Sequence, residues 1–291
     1  MRFDKTFIAI RERGILEIFD LSLHVIVDHF RPLFWLLAIG ALPWVLIDFW
    51  LIGWLLDSIY PPGNFYWVML LLIVSQAQVG TVFMTHYLGQ AMFVGRPGIL
   101  ATVRDVFKTS LYFWVVHGIL RLVFPVILIC LTFGDGDIAV FVLINFVMTV
   151  MVILALFVRA FRPFVSEILL LERTPIKKTD ENQVYFARRS RSLHGSGSDL
   201  FGRAVASFLF AGLLGFSCFA GMVTVDSVLL IQADAESSYL PYYWTASLWI
   251  VAGFIAVTRF LSYIDIRIRQ EGWAVELRMR AEGQQLLNAI E

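Results

Sequence analysis

Charge is scarce in this chain. Asp, Glu, Lys and Arg make up 16% of its 291 residues, against about 25% in soluble domains. With 59% hydrophobic residues beside them, an ordinary water-soluble globule is excluded. Cysteine is nearly absent too. The two present, Cys130 and Cys218, fall inside apolar stretches. Count and place exclude a disulfide framework, and both read as small packing residues. There is no HExxH, no clustered Cys/His spacing, no GxGxxG, no Walker loop and no GxSxG. Nothing therefore points to a metal centre, a nucleotide cradle or a cofactor. The histidines, His24, His29, His86, His117 and His194, are scattered. Ser166-Glu167 is the nearest approach to a nucleophile and an acid, and no spacing places a base beside it. The net charge of zero hides segregation along the chain, and no compact basic domain is left to bind nucleic acid.

The most informative absence is local. Six apolar segments stand out: Leu33–Leu56, Tyr66–Val94, Leu111–Phe133, Ile138–Val158, Val205–Ile231 and Tyr242–Tyr263. A helix needs about 20 apolar residues to cross a hydrocarbon core. The connections Asp57–Phe65, Gly134–Asp137 and Gln232–Pro241 contain no Lys or Arg. The N-terminus, the other connections and the C-terminus hold nearly all of them. This alternation predicts an all-α polytopic protein of the cell inner membrane, with six transmembrane helices and both ends cytoplasmic. Trp50, Trp54, Tyr60, Tyr66, Trp67, Tyr239, Tyr242, Tyr243 and Trp244 crowd the outer ends of the spans as an aromatic belt. The opening MRFDKTFIAIRERG is charged and shows no small-residue cleavage site, so Leu33–Leu56 reads as an uncleaved first span.

Three parts follow: an interfacial N-terminal helix in 1–32, a membrane domain in 33–263 with a cytoplasmic loop at 159–203, and a charged C-terminal helix in 264–291. Gly14–Arg31 is amphipathic. Glu17, Asp20, His24, Asp28 and Arg31 oppose Ile15, Phe19, Leu23, Ile26 and Phe30. Pro32 is expected to turn the chain into the first span. Gly98–Thr109 and Asn182–Leu193 read as two more amphipathic helices, and Thr85–Val94 as a tail of span two that protrudes from the membrane. Leu23-His24 and Leu193-His194 each precede an acid, an aromatic and Arg, a coarse sign of internal repetition. Beyond Tyr263, Asp265–Arg269, Arg267–Glu271, Glu276–Arg280 and Arg278–Glu282 are opposite charges at i,i+4, each contributing about 0.2–0.5 kcal/mol on an exposed helix.

Inside the spans the polar residues form a candidate layer. Arg121 lies on the order of 15 Å into span three at 1.5 Å per residue. A charge at that depth costs roughly 2.5–3.5 kcal/mol, so it calls for a partner. Asp48 in span one, about 22 Å along its helix, is the acid within reach. Gln76, Gln78, His117 and Asn145 fall at similar depths. The layer reads either as a substrate or ion pathway, or as an ion pair that specifies how the hairpins assemble.

The segment Ser262-Tyr263-Ile264-Asp265-Ile266-Arg267-Ile268-Arg269-Gln270-Glu271-Gly272-Trp273 resembles the Y-x-D-x-R-x-R-x-E-G signature of a loose group of bacterial six-span membrane proteins. The group includes the membrane domain of glycerophosphoryl diester phosphodiesterases and related uncharacterised inner-membrane proteins. The stretch Ala187–Gly195 is similar to the group's segment before span five. The resemblance implies an all-helical membrane domain. It also implies that Tyr263, Asp265, Arg267, Arg269, Glu271 and Gly272 lock the terminal helix under the bundle. It does not carry the hydrolase activity across, because this chain has no room for a catalytic domain and no acidic metal-binding set. The expectation is a non-enzymatic scaffold or accessory subunit with a protein partner on its cytoplasmic face. A small transporter or channel using the polar layer is the alternative, and a lipid-active membrane enzyme the third.

Overall fold

The computed structural model describes residues 14–56, 63–94, 97–120, 123–131, 138–172, 186–195, 197–229 and 239–271. Among these residues there is no strand. The helices are α1 (Ile15–Asp28), α2 (Phe30–Ile52), α3 (Gly63–Gly80), α4 (Val82–Val94), α5 (Ile99–Val115), α6 (Val123–Cys130), α7 (Ile138–Phe161), α8 (Val165–Glu167), α9 (Phe186–Leu193), α10 (Gly197–Leu229) and α11 (Leu240–Glu271). A 3₁₀ turn, Gly53–Leu56, closes α2. Two π-helical turns, Val116–Leu120 and Ile168–Glu172, follow α5 and α8.

Five stretches are long and apolar enough to cross a membrane: Phe30–Leu56, Gly63–Met92, Phe141–Phe161, Leu200–Val228 and Leu240–Arg269. They are extended or shifted versions of five of the six expected segments. The remaining one, Leu111–Phe133, is divided. Its start is fused to Gly98–Thr109 in α5, the π turn follows, and residues 121–122 and 132–137 lie outside the described residues.

The stretches differ sharply in burial. In the apolar 18-residue core of each stretch, 83% of Gly63–Met92 and 78% of Leu240–Arg269 is buried, whereas the share is 22% in Phe141–Phe161 and only 6% in Leu200–Val228. Thus α3, α4 and α11 form the spine, and α7 and α10 lie outside it. Leu154, Phe157, Leu209, Leu213 and Phe216 are exposed on these outer helices. Apolar surface of that extent is foreign to a soluble monomer and suits contact with hydrocarbon.

Small residues set the closest crossing. A Cβ on Gly40 would sit 1.9 Å from the Gly80 carbonyl oxygen, and one on Gly80 would sit 2.4 Å from the Trp249 ring. Glycine there lets α2, α3 and α11 approach where nothing larger fits.

Several local expectations change. The chain breaks at His29, whose φ of −115° and ψ of 26° leave the helical region. Pro32 instead sits in the first turn of α2, where its missing N–H removes no bond. The inward side of α1 is centred on Ile18, Phe19 and Ser22. Leu23, expected on that side, is 48% exposed. The segment Thr85–Val94 does not project freely. Thr85, Tyr87, Leu88 and Ala91 are buried, because α2, α5, α8 and α11 all pack against α4. Of Asn182–Leu193, the helix covers Phe186–Leu193, and the preceding residues lie outside the described ones.

Candidate functional site

The sequence Tyr263-x-Asp265-x-Arg267-x-Arg269 alternates like a strand yet lies on α11. On a helix, residues two apart point to nearly opposite sides and residues four apart share one. The alternation therefore divides into two faces. Tyr263 and Arg267 share a face with Arg259, four residues earlier. Asp265 and Arg269 share the other.

The first face meets two carboxylates. Arg259 Nε donates to Glu167 Oε1 at 2.6 Å, and Arg259 Nη2 donates to Thr85 Oγ1 at 3.3 Å. Glu167 is fully buried, and its Oε2 has no hydrogen-bond partner. The Tyr263 hydroxyl donates to Glu172 Oε1 at 2.5 Å, and Arg267 Nη1 lies 3.6 Å from the same oxygen. Arg267 also stands over the Tyr263 ring, a cation–π contact.

The π turn explains how Glu167 and Glu172 both reach this ladder. In an α-helix, residues five apart diverge by about 140°. In the i→i+5 turn over Ile168–Glu172, residues five apart come round to the same side. One π turn thus aims both acids at α11.

Glu172 has a further partner. Arg189 of α9 grips it with a fork, Nε to Oε2 at 2.6 Å and Nη2 to Oε1 at 2.9 Å. Burial alone would raise the Glu172 carboxyl. The hydrogen bonds from Arg189 and Tyr263, with the charges of Arg189 and Arg267, outweigh it and hold the group below the usual carboxylate value.

The second face meets α10. Asp265, 2% exposed, pairs with Arg203 Nη2 at 3.0 Å and with Arg269 Nε at 3.1 Å. The i,i+4 pair Asp265–Arg269 is therefore buried at its acid, unlike the solvated pair expected from the sequence. Of the remaining motif residues, Glu271 ends α11, while Gly272 and the later pairs lie outside the described residues.

Beside this clamp sits a buried hydrogen bond that spacing did not reveal. His117 Nε2 lies 3.0 Å from Ser166 Oγ, and His117 Nδ1 lies 3.2 Å from the Phe113 carbonyl. A carbonyl only accepts, so Nδ1 carries the proton, Nε2 accepts, and Ser166 donates. The serine is 1% exposed and the histidine 0%. The arrangement resembles a nucleophile and base in its atoms, but it is closed to solvent.

Among the polar residues of the spans, Asp48 and Gln76 are joined directly. Gln76 Nε2 donates to Asp48 Oδ1 at 2.8 Å. Both residues are fully buried, and Asp48 Oδ2 and Gln76 Oε1 have no hydrogen-bond partner. Asn145 Nδ2 donates to the Phe141 carbonyl of its own helix. Gln78 is buried on α3, and His117 belongs to the Ser166 bond. Arg121 lies outside the described residues.

Arg159, missed as an interior cation, donates to the carbonyls of Val74 and Ser75. Arg259, Arg189, Arg203 and Glu172 were missed as well, and Glu167 was weighed only beside Ser166 as an acid for catalysis. The i,i+4 series Arg259, Tyr263 and Arg267 was the signal that could have found the first. No protein-family model, curated protein or solved structure matches the chain.

Proposed function

We propose that the chain is a six-span inner-membrane protein with both termini cytoplasmic, acting as a scaffold or accessory subunit and not as an enzyme. The observation that carries this reading is the two-sided clamp on α11. Three carboxylates, Glu167, Glu172 and Asp265, face five arginines. They fix the end of the buried spine to α8, α9 and α10. That builds a rigid platform whose surplus positive charge suits the inner leaflet.

On this platform α9 turns Arg188 and Ser192 outward, the surface offered to a protein partner. Closure of the interior supports the same reading. Asp48, Ser75, Gln76, Thr85 and His117 are each 1% exposed or less, which suits assembly better than conduction. The Ser166–His117 bond is read as structural for the same reason.

A transporter is the second reading. It is favoured by the unpartnered oxygens of Asp48 and Gln76, which could take up a proton or a cation. Photo-crosslinkers placed at Arg188 and Ser192 in native membranes test the first reading, with the exposed Leu213 as the lipid-facing control. The expected result is one defined protein adduct from α9 and none from Leu213. Absence of a protein adduct, with a proton leak in proteoliposomes that Asp48→Asn abolishes, would transfer the assignment to the second reading.

A further inference from the structure

The most deeply buried acids follow a pattern with one exception. Among the described residues, Asp48, Glu167 and Asp265 are each 2% exposed or less. Glu167 has Arg259 at 2.6 Å, and Asp265 has Arg203 at 3.0 Å. Asp48 has no such cation among the described residues. Its partner is a neutral amide, Gln76 Nε2, which donates to Asp48 Oδ1 at 2.8 Å.

Two atoms of this pair are left over. Asp48 Oδ2 and Gln76 Oε1 are both buried, and both lack a hydrogen-bond partner. Each is an acceptor, so neither satisfies the other while Asp48 is ionised. The polar neighbours are committed elsewhere. Ser75 Oγ donates to the Leu72 carbonyl at 2.7 Å. The Cys130 thiol of α6, which interacts electrostatically with Asp48, is directed at Met148 Sδ at 3.6 Å.

Three occupants can be weighed for the two oxygens. A hard divalent cation takes about six to eight oxygen ligands, and the pair offers two. A water would donate to both oxygens but leave a negative charge buried without a counter-ion, which is the costly state. A proton cancels the charge and supplies the missing donor together. A protonated carboxyl carries one O–H donor and one free acceptor, and a primary amide carries an N–H donor and a carbonyl acceptor. The two groups are complementary at both positions.

We propose that Asp48 and Gln76 form a proton-binding site, in which the carboxyl is held as the neutral acid with its proton on Oδ2, donated to Gln76 Oε1. The proton comes from water before the pair closes, and its charge cancels that of the carboxylate. The bond from Gln76 Nε2 to Oδ1 and the bond from Oδ2 to Gln76 Oε1 then close a ring. Asp48 belongs to α2 and Gln76 to α3, the two helices that meet closely at Gly40 and Gly80. The bound proton is thus a ligand of the α2–α3 pairing. It needs no protein partner and suits a scaffold and a transporter alike, so the crosslinking result from α9 is independent of it.

Infrared absorption of the full chain at neutral pH tests the site, in a maltoside detergent that has no ester carbonyl of its own. A protonated carboxyl absorbs on the high-frequency side of the backbone amide bands, and an ionised one does not. Asp48→Asn keeps the shape of the neutral acid and should remove one band of the protonated type. Gln76→Leu takes away both bonds and should move that band to higher frequency. Gln76→Asn withdraws the amide by one methylene and should move it the same way, which serves if Gln76→Leu does not fold.

A spectrum in which Asp48→Asn removes no such band would mean an ionised Asp48, whether met by a cation, a water or Arg121, and would overturn the proposal. A band that Asp48→Asn removes but that neither folded Gln76 variant moves would overturn the sharing of the proton with Gln76. Unchanged melting of Asp48→Asn would show that the lost band is not unfolding.

Discussion

The Tyr263 hydroxyl and the Glu172 carboxylate, 91 positions apart, meet at 2.5 Å. The bond joins the far end of α11 to the π turn after α8, and Arg189 grips the same carboxylate from α9. Three chain segments are therefore fastened at one acid. Tyr263 is 1% exposed, so water does not compete for this bond. A hydrogen bond to a charged group contributes about 1.5–3 kcal/mol, and several converge here.

The arginines at this site should not be equivalent. Arg189 makes a two-point fork on Glu172, while Arg267 stands 3.6 Å from it and Arg269 Nε lies 3.1 Å from Asp265. Lysine preserves charge but not the fork. Arg189→Lys should therefore loosen the terminal helix more than Arg267→Lys/Arg269→Lys, by about 1–2 kcal/mol. Thermal unfolding in detergent, with limited proteolysis on inside-out vesicles, measures the difference. Equal losses in the two variants would reduce the clamp to a generic basic anchor.

Acid should undo the same knot. Glu172 is held below the usual carboxylate value in the folded chain. A depressed folded value means its contribution is fully present above the unfolded value of about 4.3, and is lost as pH falls through the folded one. Hydrogen exchange of the α11 terminus, corrected for intrinsic rates, should stay slow at pH 5 and accelerate at lower pH. Tyr263→Phe removes one of the bonds that depress the value, so its release should begin at higher pH. Identical midpoints in parent and Tyr263→Phe would show that the tyrosine does not stabilise the anion.

The long apolar runs were legible because a helix in hydrocarbon must be apolar over a fixed length, and composition alone reports that. The motif residues on α11 were legible as a group. Their partners were not, because Glu172, Arg189 and Arg203 reach α11 only through packing between distant helices. The π turn was the obscure step. With α-helical spacing, Glu167 and Glu172 would diverge, and nothing in Ile168-Leu169-Leu170-Leu171 announces the wider turn. The Ser166–His117 bond was hidden likewise, since His117 lies 49 residues away.

Sidedness can be read chemically. Cys218 is partly accessible, and Cys130 is buried, so a Cys218→Ser background leaves a quiet protein. Cysteines introduced at Ser58, Gly136 or Ser237 should react with an impermeant thiol reagent from the periplasmic side of the membrane. Those at Ser192 or Gln284 should not, because Lys and Arg mark the retained side. Periplasmic labelling at Ser192 would invert the arrangement and move α9 to the other side of the membrane.

The buried acid of α2 gives the last test. From the sequence, Asp48 was expected to answer Arg121. In the structure its hydrogen bond comes from Gln76, at 2.8 Å, and its second oxygen has no hydrogen-bond partner. An ionised carboxylate closed off from water with one neutral donor is costly. Asn has nearly the same shape. It keeps an oxygen for Gln76 Nε2 and brings an N–H₂ that can serve the unpartnered Gln76 Oε1. Asp48→Asn should therefore be neutral or stabilising by about 1 kcal/mol. Asp48→Leu should cost about 1–3 kcal/mol, because it strands the Gln76 amide. Combining Asp48→Asn with Arg121→Gln should give additive effects if Gln76 is the working partner. A loss on Asp48→Asn that Arg121→Gln repairs would restore the ion pair and displace Gln76 from that role.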